Sequence, residues 1–138
     1  MPAAPNLKVE RFWPAIPQHI WDRIRDEFTL PTAADLQGHF QALGDPDAMQ
    51  RAVRVFVDEE TLCPGFQIKD GLLREPVLLL FEHAMALKVP HNVFAAWMVT
   101  PLPTQPETRP VDALDDIGPL FAALADFANI YRPSEQRR

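Results

Sequence analysis

Glycine is scarce in this chain, cysteine is single, and no apolar run approaches the length of a membrane span. The five glycines are scattered singly, so no Gly-rich loop is available to cradle a phosphate with successive backbone N–H groups. The one cysteine, Cys63, cannot form an internal disulfide, which fits a reducing, cytoplasmic setting. Pro64-Gly65 follows it in a turn that could expose the thiol, but no activating base is evident nearby. The longest apolar stretch, residues 76–81, stops at Glu82, and residues 1–8 hold no apolar run that could act as a leader core. No membrane partner is therefore expected. Thirteen Lys and Arg against nineteen Asp and Glu leave a formal charge of -6, which opposes generic nucleic-acid binding. None of the four histidines, His19, His39, His83 and His91, has another at i+3 or i+4, the spacing that sets two ligands on one helix face. No metal, cofactor or catalytic group is expected, and the chain reads as a non-enzyme.

Apolar residues and proline are plentiful. At 138 residues and 47% hydrophobic, the chain can bury a core as one compact domain. Fifteen prolines divide it into short elements. Pro17 suits a first helical position, and Ile16, Ile20, Trp21, Ile24 and Phe28 repeat behind it at helical spacing. Thr32 with Asp35 reads as a helix cap, Leu36, Phe40 and Leu43 as its stripe, and Gly44 as its end. Asp45-Pro46 repeats the start signal ahead of Met49, Ala52, Val53 and Phe56. Residues 63–71 read as a loop, with a short extended piece at 66–68 and no evident partner strand.

Residues 72–89 are apolar nearly all round and predict a central, buried helix. A short helix with Val93, Phe94, Trp97 and Met98 follows. The 100–110 loop carries four prolines and should be extended and stiff. A last helix from about Pro119 presents Leu120, Phe121, Leu124, Phe127, Ala128 and Tyr131. The expected fold is all-α: a compact bundle of six or seven short helices around a central apolar helix. Its divisions are residues 1–71, 72–131 and a mobile tail at 132–138.

Residues 33–57 are the candidate helix-turn-helix, with Gly44 as the turn and Arg51 and Arg54 on the second helix. Asp45 and Asp47 at that helix's start would repel phosphate, so a plain helical hairpin is favoured over DNA binding.

The stretch from Trp97-Met98 through Pro101 to Arg109-Pro110-Val111-Asp112-Ala113-Leu114, followed by the helix of Leu120, Leu124 and Phe127, resembles the C-terminal toxin-binding domain of the Xre/MbcA/ParS-type bacterial antitoxins. The likeness covers roughly residues 72–131, and the Arg109 turn looks like the family's basic-Pro-x-Asp-Leu-Leu turn. Three features depart from the pattern. Thr104-Gln105-Pro106-Glu107-Thr108 stands where many members carry a glycine pair, no glycine follows the last helix, and the first seventy residues lack a clear helix-turn-helix.

The resemblance implies a protein that binds and inhibits a cognate toxin, often an NAD-consuming RES-type enzyme, by covering the entrance to its active site. Leu102, Arg109, Tyr131 and Arg132 would then contact the partner. Trp97, Pro110, Asp112 and Leu114 would anchor the loop. Two other readings stay open: a small enzyme subunit or accessory protein with a buried ligand pocket beneath the 72–89 helix, and a homodimeric helical module that binds an unrelated protein.

Overall fold

The computed structural model describes Trp13 and residues 15–130; Tyr131, Arg132 and the tail at 132–138 lie outside the described residues. Helix α1, Gln18–Phe28, starts behind Pro17 and buries Ile20, Trp21 and Ile24. Helix α2, Ala33–Ala42, is capped by the Thr32 hydroxyl, which accepts the Asp35 N–H at 3.1 Å, and it buries Leu36 and Phe40. Gly44 ends it at φ 81, where a side chain would be strained.

The all-helical expectation is corrected from this point on. Pro46–Arg51 forms a six-residue 3-10 helix, after which the chain extends into strand β1, Val55–Val57, paired antiparallel with β2, Glu60–Leu62. Asp58 and Glu59 both take positive φ, 51° and 68°, the turn geometry that matches strand twist in a two-residue hairpin. A second hairpin pairs β3, Ile68–Lys69, with β4, Leu72–Leu73, around Asp70-Gly71. The protein is a mixed α/β structure, with two small two-stranded sheets set among its helices. The helix-turn-helix reading of residues 33–57 falls with this correction. Its second helix is a short 3-10 turn, and Asp45 caps nothing but instead approaches Arg51 at 3.5 Å.

Helix α3 is Glu75–Ala86, shorter than the expected 72–89, because Leu72–Leu73 are drawn into the second hairpin. It buries Val77, Leu80, Phe81 and Ala84, whereas Leu79 and Met85 face outward. Helix α4, His91–Met98, is apolar on most sides and largely buried. A 3-10 turn at Pro110–Asp112 leads to α5, Gly118–Ile130, which buries Leu120, Leu124 and Ala128 and packs on α3. A single core cluster runs from Ile20 to Ala128 and crosses the expected division at residue 72. Leu36, Phe40, Ala48 and Cys63 form a smaller satellite under α2.

Two side-chain amides hold β1 and its approach in place. Gln67, 1% exposed, accepts the Val53 N–H at 2.8 Å and donates to the Val53 carbonyl at 3.0 Å. Asn92 does the same for Phe56, with both bonds at 3.0 Å, and His91 Nδ1 accepts the Arg54 N–H at 3.0 Å. These side chains replace a neighbouring strand, closing an edge that would otherwise offer unpaired backbone groups.

Candidate partner-binding groove

The loop after α4 does not run extended, as its prolines suggested. The Leu102 N–H donates to the Thr108 carbonyl at 2.9 Å and the Thr108 N–H to the Gln105 carbonyl at 2.8 Å, closing the loop on itself. The Thr100 hydroxyl donates to the Ala96 carbonyl at 2.7 Å, tying the loop's start to α4. This closure turns Leu102 inward, to 8% exposure, and leaves Pro101 and residues 103–107 outside.

Arg109 fastens the far end of the loop. Its guanidinium donates to both oxygens of Asp112, from Nε at 2.8 Å and Nη2 at 3.1 Å. It also donates to both oxygens of Glu27 on α1, from Nη1 at 3.2 Å and Nη2 at 3.0 Å. Of the two forked ion pairs, the one to Glu27 joins residues 82 positions apart in the chain and the one to Asp112 is local. The Asp112 bonds, and then those to Glu27, push the arginine's pKa further up from an already high value. Sequence reasoning left Arg109 without an intramolecular role and set it against a partner; the structure gives its donors to this clamp. Glu27 was missed, since nothing local to α1 marks it as the mate of a residue so distant.

Of the expected loop anchors, only Asp112 is seen to bond Arg109. Trp97, Pro110 and Leu114 are buried, and Asp112 is an exposed carboxylate that holds Arg109. Leu102 lies on the core side of the loop, where it forms part of a groove wall.

Beside this loop is an apolar groove of about 680 Å³. One wall is residues 15–17 with Ile20, and Ala123, Asp126, Phe127 and Ile130 of α5 line another part. Val93, Ala96 and Trp97 form the floor, and residues 100–104 form the rim. Asp126 is the ionisable group in the lining, and Ile130 is 63% exposed at one end. This cavity lies between α4, α5 and the segment leading into α1. Asp126 and Ile130 escaped notice because helical periodicity marks the buried stripe of α5 and says nothing of its other side.

The groups considered for chemistry are dispersed. Cys63 is fully buried, and burial pushes its thiol up to about 11 despite the opposing effect of Arg54. His39 Nε2 lies 2.7 Å from the Gly71 carbonyl, and the His83 ring packs edge-on against Phe121. Burial, and then Arg54, lowers the pKa of His91, whose ring packs on Phe81. Among the described residues no three His, Cys, Asp or Glu side chains gather as a metal site would require. Among them, too, no helix is long and apolar enough to cross a membrane.

No family model matches the chain, and no curated protein or solved structure matches it either. The likeness to the antitoxin domain therefore rests on the quoted residues alone.

Proposed function

We propose that this protein is a binding protein of the antitoxin kind, which captures a partner toxin and blocks it without performing a reaction itself. The observation that carries the reading is the apolar groove of about 680 Å³ beside the closed 100–109 loop. The loop and the last helix, on which the resemblance falls, line much of it, together with α4 and the segment leading into α1. A groove of this size accommodates several apolar side chains of a docked segment. Asp126 at its wall suits a lysine or arginine on that segment, and the chain's charge of -6 favours a basic partner face. Enzymes that handle nucleotides commonly present such faces, which agrees with an NAD-consuming toxin.

The test is co-expression with the product of the adjacent reading frame. The reading expects that product to arrest growth alone, to be neutralised by this chain, and to co-purify with it. Ile130→Asp and Pro103→Asp alter exposed groove positions and should leave folding intact while abolishing capture. Growth arrest that this chain does not relieve, or capture unaffected by both substitutions, refutes the assignment.

A further inference from the structure

Two helices border the groove beside the 100–109 loop with faces of the same periodicity. Helix α4 contributes Val93, Ala96 and Trp97, and Thr100 just past its end continues the row. Helix α5 contributes Ala123, Asp126, Phe127 and Ile130. Each row follows i, i+3, i+4, i+7, a helical face of two turns that spans roughly 11 Å. The rim beside them offers no strand edge. Pro101 and Pro103 have no N–H, the Thr100 N–H donates to the Trp97 carbonyl at 3.2 Å, and the Leu102 N–H donates to the Thr108 carbonyl at 2.9 Å. The Leu102 carbonyl already accepts the Gln105 N–H at 3.2 Å. At the 15–17 wall Pro17 likewise lacks an N–H, and its carbonyl accepts the Ile20 N–H at 3.1 Å.

We propose that the segment captured here is a basic amphipathic α-helix of the partner, with apolar side chains at i, i+3, i+4 and i+7 and a lysine or arginine set against Asp126; the proposal rests on the groove reading above. The backbone decides for a helix. A segment buried against apolar side chains must satisfy its own N–H and C=O groups, which a helix does internally, whereas a strand needs an edge to pair with. The spacing agrees, since rows of this period on two bordering helices receive the same row on a third. Ala96 and Ala123, one on each helix, keep those rows low enough for a third backbone to approach. Asp126 decides the charge. It is an exposed carboxylate, and the other side chains of the lining are apolar or threonine. One cation within the apolar stripe of the docked helix is therefore favoured there, and an acidic residue is repelled.

Hydrogen–deuterium exchange on the co-purified complex of the full chain with the adjacent gene product tests the mode of binding. One partner segment of about eight to twelve residues should gain protection, with an apolar row at helical spacing and a lysine or arginine within it. A proline placed in the middle of that segment should weaken capture about 100-fold, because it breaks the helix. Asp126→Lys should weaken capture at least about 10-fold, and exchanging the partner's cation for glutamate should restore it. Ala123→Leu fills the groove and should weaken capture at least about 10-fold without lowering the melting temperature of the free chain. A protected segment whose apolar residues alternate with period two, or capture that tolerates the proline, overturns the helix. Capture indifferent to Asp126→Lys, or not restored by the exchange, overturns the charge pairing. Capture unaffected by Ile130→Asp and Pro103→Asp removes the groove reading and this inference together. Capture that those substitutions abolish but that an extended segment carries removes this inference alone.

Discussion

Replacing Arg109 with methionine keeps an unbranched apolar stem and removes the charge and the donors, limiting the packing loss that an alanine would add. Four hydrogen bonds of 2.8 to 3.2 Å disappear with it, two to Asp112 and two to Glu27. Exposed ion pairs contribute roughly 0.2–1 kcal/mol each, and well-formed forked pairs sit at the upper end of that range. Arg109 is only 20% exposed, which raises the value, but Glu27 at 40% and Asp112 at 50% remain hydrated after its loss. No large penalty for stranded buried charge therefore applies. The expected cost is about 1–2 kcal/mol, a fall in melting temperature of roughly 4–8 °C for a chain of this size. Urea denaturation measures it directly. Repetition in 1 M salt, where the Debye length is about 3 Å, should remove around half of the effect. Arg109→Lys should recover less than half, because an ammonium cannot make two forks. The decisive measurement is the coupling energy between Arg109→Met and Glu27→Gln. A coupling near zero, or a cost under about 0.3 kcal/mol, would show that the clamp holds nothing.

Three further perturbations follow from the buried and crowded sites. Cys63 should resist alkylation at pH 8 until urea unfolds the chain. Its thiol holds the proton up to about 11 when folded and loses it near 8.5 when unfolded, so stability should decline as pH rises between those values; rapid alkylation of native protein would contradict the burial. His91 has a lowered pKa, so the unfolded chain takes up that proton first, and stability should fall as pH drops below about 6.5. His91→Asn should flatten that part of the profile, and an unchanged slope would remove His91 as its source. Gly65→Ala would place a methyl group 1.8 Å from the Phe28 carbonyl oxygen and 2.3 Å from the Thr29 hydroxyl. Because the nearest atom is backbone, the loss should exceed about 3 kcal/mol by thermal denaturation; a near-neutral variant would mean that the turn shifts freely.

Helix starts and stops were legible where the signal is a local bond. The Thr32 cap and the Gly44 terminus are both in place, because each depends on residues within a single turn. Hairpins were missed for two reasons. Val55–Val57 alternates buried, exposed, buried over only three residues, and Met49, Ala52, Val53 and Phe56 imitate a helical stripe across the same span. The other hairpin did carry a signal, Asp70-Gly71 between Ile68-Lys69 and Leu72-Leu73, but its strands are two residues long and the expected helix absorbed Leu72 and Leu73. Proline content misled in the 100–110 loop, since prolines fix φ without dictating where the intervening N–H groups bond. The Gln67 and Asn92 braces and the Glu27 clamp depend on partners 14, 36 and 82 positions away. No periodicity reports such pairs.

The clamp and the groove are physically coupled, and the coupling makes a claim of its own. Residues 15–17 form one groove wall and lead directly into α1, whose Glu27 grips Arg109. The rim at 100–104 belongs to the loop that Arg109 fastens at its other end. One wall and the rim of the groove are therefore held by elements that one guanidinium joins, while α5 is not part of that clamp. A partner seated in the groove bridges the same elements independently, so it should offset part of what Arg109→Met removes. By linkage, a partner present at 100 times its dissociation constant stabilises the folded state by about 2.7 kcal/mol, more than the clamp is expected to contribute. The complex of the Arg109→Met variant should then melt above free wild type, and capture at low temperature should be nearly unchanged. If instead Arg109→Met abolishes capture while the free variant remains folded, Arg109 contacts the partner directly. The clamp would then be the resting state of a binding residue.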